Sequence, residues 1–316
     1  MNWFGKKRKI TDWMVVCIQP DGISVSHIKR SPSTKPLVEF AAFFALAGST
    51  IPLVLEKLGK ELRAERFHCI NLMAANEYQL LSVEAPNVPA DELKTAIRWR
   101  LKDMLDFHID DATIDVLDVP LDKNAGNRSH LMYAVAARNQ LIEQRQTLFS
   151  DAKMSLRIID IPEMAQRNIA ALLETEGRGL ALLSFNAEGG LLTVTYAGEL
   201  YLSRRIDVTS EQLMQEDDEQ KQSCYERVTL ELQRSLDHFE RQYHFITLSK
   251  MMLAPLAEKA SGLVPYLAEN LYIPIETLNL EAILDFRSAS ELRALEMQQR
   301  YFMVLGAALR HETVAL

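Results

Sequence analysis

The chain has 316 residues, 48% hydrophobic and 25% charged, a balance expected of a globular protein with room for about two domains. Its formal net charge of -8, with no Lys/Arg stripe interleaved with aromatics, argues against nucleic acid as a partner. The three cysteines, Cys17, Cys69 and Cys224, lie far apart and lack the CxxC spacing of metal or redox sites, which fits a reducing cytoplasm.

At the start of the chain, Trp3 and Phe4 stand beside Lys6, Lys7, Arg8 and Lys9. Each of these cations is worth up to about 1 kcal/mol near an anionic leaflet. The segment reads either as a weak peripheral membrane contact or as a solvated tail, because it is too short for an interfacial helix. Thr11 and Asp12 interrupt the apolar residues that follow, so no signal-peptide core is expected. Residues 15–18, the turn Pro20-Asp21-Gly22 and residues 23–28 predict a hairpin, since Pro presets φ and Gly tolerates the turn. The apolar stretch 37–55 contains Glu39, Gly48, Ser49, Thr50 and Pro52. It is too broken for a span of about 20 apolar residues and predicts strand, turn and helix. Ile51, Leu55, Leu58 and Leu62 share one helical face.

Further on, Leu93, Ile97, Leu101, Met104 and Leu105 predict a helix opened by Asp91 and Glu92, where the dipole favours acids. Strands are expected at 113–119, 131–137 and 156–161, with a polar loop at 122–129 and a helix at 140–152. A second hairpin unit follows, with strands at 180–185, 191–196 and 200–206 and turns at 186–190 and Ala197-Gly198-Glu199. Residues 211–223, acidic and Gln-rich, read as a solvated loop or as the exposed first turns of a helix. Tyr225, Val228, Leu232, Leu236, Phe239 and Tyr243 continue on one helical face. A repeated hairpin-and-helix unit with an insertion in its first half points to an α/β fold with a mixed sheet in each half and a cleft between them.

The order of these elements resembles the PilM proteins of type IV pilus assembly, most closely the MshI branch of mannose-sensitive haemagglutinin (MSHA) pili. The likeness spans nearly the whole chain. It rests on the opening Trp3-Phe4-Gly5-Lys6-Lys7, on "TIDVLDVP" and "HLMYAVAARNQLIEQRQTLFSDAKMSLRIIDIPEMAQRNIA" within residues 89–167, on "LELQRSLDHFERQY" and on "FMVLGAALR". The resemblance implies a duplicated actin-like (ribonuclease H-like) core. Residues 1–10 would be a basic tail, 11–88 the first half, 89–161 an inserted subdomain and 162–316 the second half, whose first helix, 162–176, connects to the first lobe. It also implies a cytoplasmic protein, peripheral at the inner membrane, that holds the cytoplasmic tail of a bitopic partner (PilN/MshJ-like) and meets other platform proteins. The related L protein of type II secretion is the alternative within the same resemblance.

The resemblance further implies a nucleotide in the central cleft, and actin-like folds grip its phosphates with two hairpin turns whose glycine amides converge on the anion while an Asp in each places the metal. Set against the family pattern, Cys17 stands at the Asp position of the first turn, Gln19 at the Gly position and Ser24 at the Lys position. In the second turn, Ser184 replaces the Asp and Asn186 the Gly, leaving Gly189 and Gly190 as a plain turn or a residual anion nest. The family's Gly-Gly third turn would fall on Ser249, Lys250 and Met251. Uncharged Cys17 and Ser184 cannot offset a divalent cation on polyphosphate. The expectation is therefore a degenerate site with no catalytic residue, no bound metal and no ATP or Mg²⁺ cofactor. Glycine supply agrees: 12 in 316 is below the average usage of about 7%. An ATP-binding switch is the competing reading; a sugar or acetate kinase is less favoured, as it would need a general-base Asp.

For the partner tail, the resemblance points to a groove between the first half and the insertion, walled by Trp99, Met104, Phe107 and Ile109. An extended peptide there would gain main-chain hydrogen bonds and seat alternate side chains. Trp99 lies off the Ile97/Leu101 face and is expected to be partly exposed. The seven histidines carry no HxxxH or HxxE spacing, and the chain has no GxSxG, Walker or post-strand GxGxxG motif. The pairs Asp110-Asp111 and Asp217-Asp218 are read as solvated loop acids, because adjacent side chains diverge.

Overall fold

The computed structural model describes residues 12–31, 34–89, 91–120 and 130–310. Trp3, Phe4, Lys6, Lys7, Arg8 and Lys9, the expected membrane contact, lie outside the described residues. Strand β1 (Asp12–Gln19) turns through Pro20-Asp21 into β2 (Gly22–Ser31), and β3 (Thr34–Ala45) returns antiparallel along β2. Helix α1 (Ile51–Glu61) starts with Pro52 in its first turn, where a missing N–H costs nothing, and leads to β4 (Phe67–Leu72), parallel to β1.

The chain then leaves the sheet through β5 (Tyr78–Glu84), α2 (Leu93–Leu101), β6 (Ala112–Asp118), β7 (Leu131–Arg138) and α3 (Asn139–Asp151). It re-enters as β8 (Ser155–Asp160), parallel to β4, and passes through α4 (Pro162–Ala170) into the second half. There β9 (Gly179–Asn186), β10 (Gly189–Tyr196) and β11 (Glu199–Ile206) form a second meander. It is followed by α5 (Ser210–Leu213), α6 (Asp218–Gln242), β12 (Leu248–Leu253), α7 (Leu263–Asn270), β13 (Ile275–Thr277) and α8 (Leu295–Ala308).

The two large sheets have the same order, β3-β2-β1-β4-β8 and β11-β10-β9-β12-β13, and both are mixed. This is the duplicated α/β core with two lobes expected from the sequence. Alternation along β1 sends Met14, Val16 and Ile18 to a core with Leu55, Leu58 and Phe149 of α1 and α3, and Val15 to the opposite face. On that opposite face α8 packs across β2 and β1, while α4 packs against α8 and against β9, β10 and β11. These two helices join the lobes.

The third sheet, β5-β7-β6, belongs to the insertion. It begins before residue 89, the start expected from sequence, because β5 pairs with β7 along its whole length from Tyr78↔Ala137 to Glu84↔Leu131. The expected end at 161 also shifts, since β8 is an edge strand of the first large sheet. The predicted helix over Leu93 to Leu105 stops at Leu101, and Met104 and Leu105 lie in turns that bond back to the Leu101 carbonyl. Residues 211–223 divide between α5, capped by Thr209, and the first turns of α6, capped by Asp217. Among the described residues no helix is long and apolar enough to cross a membrane.

Candidate functional site

The β9–β10 turn reaches across the cleft to the first lobe, where Glu188 accepts the Ala75 amide and its charge acts on Cys17 of the β1–β2 hairpin. In the β1–β2 hairpin, Cys17 pairs with Ser24 and Gln19 with Gly22. The buried Ser24 hydroxyl donates to Gln19 Oε1 at 2.8 Å, so two of the candidate positions hold each other across the turn. Burial, then the charges of Glu188 and Glu77, push the Cys17 thiol up to about 12. It stays a neutral thiol and supplies no metal-binding charge.

In the second hairpin, Ser184 is 4% exposed and donates to Gln166 Oε1 at 2.6 Å. The Gln166 amide nitrogen in turn points at Leu182 O (2.6 Å), Thr193 Oγ1 (3.0 Å) and Leu191 O (3.1 Å). Asn186 Oδ1 accepts the Glu188 amide at 2.8 Å, closing the turn on itself. Gly189 has φ +132, and a Cβ there would stand 2.9 Å from the Ile206 carbonyl; at Gly190 the space of a Cβ is taken by the Phe185 ring, 2.6 Å away. Both glycines are thus required by close packing within the lobe.

The third turn needs a correction. Ser249, Lys250 and Met251 are not in a turn but in β12, at the end of the sheet away from the cleft: Ser249 Oγ bonds to the Gly179 carbonyl at 3.0 Å, Lys250 pairs with Glu276 at 2.6 Å, and Met251 is buried in the second-lobe core. β12 runs parallel to β9, so its carboxyl end, where ligands of open α/β sheets sit, is continued by Ala254, Pro255 and Leu256. A cavity of about 540 Å³ opens there, walled by these three residues with Val264, Leu278 and Leu295. None of the three is a glycine that would let a flat ring lie on the backbone.

The cleft beside the second hairpin is a separate cavity of about 210 Å³, lined by Ala75, Ser184, Glu188, Gly189 and Arg205 among others. It is smaller than the usual range for ligand pockets, roughly 300 to 1,000 Å³. Of the charged groups in and beside it, Glu188, Arg205, Glu77 and Glu163 are bonded to protein, while Asp207 on its wall is fully exposed. Glu188 accepts the Ala75 amide from the opposite lobe at 3.0 Å. Glu77 is paired with Arg145 and also accepts the Ala74 amide at 2.9 Å. Arg205 donates to Glu163 Oε1 at 2.9 Å, and both Arg205 and Glu163 bond the Tyr78 hydroxyl. Glu163 is fully buried, and the Tyr78 hydroxyl is held far above its usual range by burial and by the Glu163 charge. This cluster ties β5 of the insertion to α4 and β11. It had no sequence signal, because its members are far apart in the chain and share no spacing. Among the described residues no group of His, Cys, Asp and Glu is placed to hold a metal ion.

The four expected groove residues separate. Trp99 is 72% and Met104 47% exposed, whereas Ile109 is buried in the insertion's own core and Phe107 is half-buried, with the Arg138 guanidinium 4.3 Å from its ring. Ile109 is therefore not a groove wall. Arg98 draws its segment over α2 by donating to Ile109 O (2.5 Å) and Ala112 O (3.0 Å).

No sequence family matches the chain, and no curated relative matches it by sequence. Its three-dimensional form is similar to a chain of the "PilM-PilN type IV pilus biogenesis complex", with a TM-score of 0.72 at 18% identity over 95% of this chain and 98% of that one. A Bacteroides thetaiotaomicron protein described as having an actin-like ATPase fold and unknown function matches with a TM-score of 0.50 at 8% identity over 90% of this chain and 96% of that one. The cytoplasmic domain of EpsL, an inner membrane component of the type II secretion system of Vibrio cholerae, gives a TM-score of 0.48 at 13% identity over 78% and 84%. With its two matched sheets and crossing helices, the chain has the actin-like ATPase fold.

Proposed function

We propose that this protein is a non-enzymatic adaptor of a type IV pilus assembly platform of the MSHA kind, acting on the cytoplasmic side of the inner membrane. In this reading it holds the cytoplasmic tail of a bitopic, PilN/MshJ-like partner and carries a degenerate nucleotide site. The observation that carries the reading is the similarity along 95% of the chain to a PilM-PilN complex component. The chemistry of the cleft supports the second half of it. Cys17 and Ser184 bring no charge, and Glu77, Glu163 and Glu188 bond to protein groups and would repel a triphosphate. On the insertion, Trp99 and Met104 supply the kind of exposed aromatic and flexible apolar pair that anchors peptides.

The test is a titration of the partner's labelled N-terminal peptide by fluorescence anisotropy. Trp99→Ala combined with Met104→Ala is expected to weaken binding by about tenfold or more, as loss of an aromatic anchor does. Unchanged affinity in a folded double variant would remove these residues from the interface. A second reading, an ATP-binding switch, is favoured by the cavity of about 540 Å³ at the carboxyl end of β12. Calorimetric titration with ATP and Mg²⁺ separates the two: micromolar, Mg²⁺-dependent binding supports the switch, and its absence supports the adaptor.

A further inference from the structure

The cavity of about 540 Å³ at the carboxyl end of β12 adjoins a second open feature, the edge strand β13. Met251 N donates to Pro274 O at 2.8 Å and Leu278 N to Leu253 O at 2.8 Å, so residues 274, 276 and 278 turn their backbone groups to β12. Alternation leaves the N–H and C=O of Ile275 and Thr277 directed outward. Among the described residues no strand lies outside β13, and no backbone hydrogen bond from beyond the β12–β13 ladder reaches Ile275 or Thr277. Thr277 is exposed and forms part of the cavity wall, so the open edge leads into the cavity.

The chemistry of the wall decides what the cavity can hold. Leu256, Val264, Leu278 and Leu295 make it largely apolar, and Leu295 is 44% exposed. Its volume falls within the usual range for ligand pockets, roughly 300 to 1,000 Å³, and admits a large side chain. The charged groups of the wall are Glu258 and Glu296, both exposed, and no Lys, Arg or His stands among its residues. Neither acid has an ion-pair partner within 4.0 Å among the described residues. The cations nearest them in sequence are engaged elsewhere, Lys259 with Glu216 at 3.8 Å and Arg293 with Glu281 at 3.2 Å. A cation beside an apolar group is held at such a mouth, and an anion is repelled.

Outward main-chain groups, an apolar pocket and two unpaired carboxylates in one place suit an extended peptide. We propose that this corner of the second lobe is a further peptide site, for a basic segment of a partner protein. The segment lies along β13 and bonds its main chain to Ile275 and Thr277. It seats one aromatic or aliphatic side chain in the cavity and sets Lys or Arg beside it against Glu258 and Glu296. The two carboxylates select a basic segment and reject an acidic one. The site stands apart from Trp99 and Met104, which lie on the insertion, and so does not depend on the adaptor reading of those residues.

Fluorescence anisotropy with the full chain tests it. The probe is a labelled decapeptide with a single Trp in a run of Val and Thr and a Lys pair on each side, compared with a twin that carries Glu in place of Lys. The Lys peptide is expected to bind about tenfold more tightly or better. Glu258→Lys with Glu296→Lys is expected to reverse that preference. Val264→Trp, which fills the cavity, is expected to raise Kd by about tenfold or more. Thr277→Pro removes an outward N–H without touching the β12 ladder and is expected to weaken binding as well. The charge reversal is made at exposed positions and serves if Val264→Trp fails to fold. Trp99→Ala with Met104→Ala is expected to leave the Lys peptide bound, so failure here and failure of the adaptor reading are told apart. No binding of either peptide up to about 1 mM, equal affinity for both, a preference indifferent to the charge reversal, or loss of binding in the Trp99 and Met104 double variant would overturn the proposal.

Discussion

The hairpins that the two lobes turn toward the cleft share a topology but differ in how they are held. In the first lobe a single cross-strand bond, Ser24 to Gln19, secures the turn. In the second, Gln166 of the crossing helix α4 reaches into the sheet and bonds Ser184, Thr193 and two backbone carbonyls. Duplication thus preserved the strand order while the polar contacts diverged. Both hairpins are tied to a crossing helix, the first by the Ser26 hydroxyl donating to the Val304 carbonyl of α8 at 2.8 Å and the second by the Gln166 amide set into the sheet. The cleft still holds carboxylates, and Glu77, Glu163 and Glu188 each bond a protein group.

That contrast can be broken most forcefully at Glu163. Glu163→Ala leaves Arg205 and Tyr78 without their buried acceptor and is expected to cost about 3 to 5 kcal/mol in urea unfolding. Gln166→Ala is expected to follow at about 2 to 4 kcal/mol, because several buried groups around the second hairpin lose their partner together. Ser24 holds only its own turn, so Ser24→Ala should cost about 1 kcal/mol by the same measurement. Equal costs for Gln166→Ala and Ser24→Ala would erase the difference between lobes.

The Cys17 thiol sharpens the comparison through pH. Its ionisation is raised from 9.0 to about 12, so the folded state loses stability as pH climbs from about 9, where the unfolded thiol ionises, toward 12. At pH 8 native Cys17 should resist iodoacetamide and label only in denaturant, as followed by mass spectrometry. The smallest effect is expected at the exposed Lys57–Glu61 pair, where Lys57→Ala should change stability by less than about 0.5 kcal/mol.

Much of the fold was legible where local chemistry decides. Pro20-Asp21-Gly22 marked the first hairpin, and the spacing of Tyr225, Val228, Leu232 and Leu236 marked α6. Trp99, two residues from Ile97 and Leu101 on their helix, could be placed off the buried face. What escaped depends on partners distant in sequence. The strands at 67–72 and 78–84 lack flanking turn signals as clear as Pro20-Asp21-Gly22, and they are strands because β1 and β7 bond them. Ser249, Lys250 and Met251 were misplaced because the position of a turn along a parallel strand is set by its neighbour β9, which carries no mark in the local residues. The Tyr78, Glu163 and Arg205 cluster was invisible for the same reason.

One consequence of the crossed helices concerns the order of assembly. The faces of Val15 and Ile70 in the first sheet are covered by Phe302, Leu305 and their neighbours on α8, the last helix described. During synthesis the N-terminal lobe must therefore wait with an apolar flank unshielded until residues near 300 have emerged, which gives holdase chaperones a clear period of engagement.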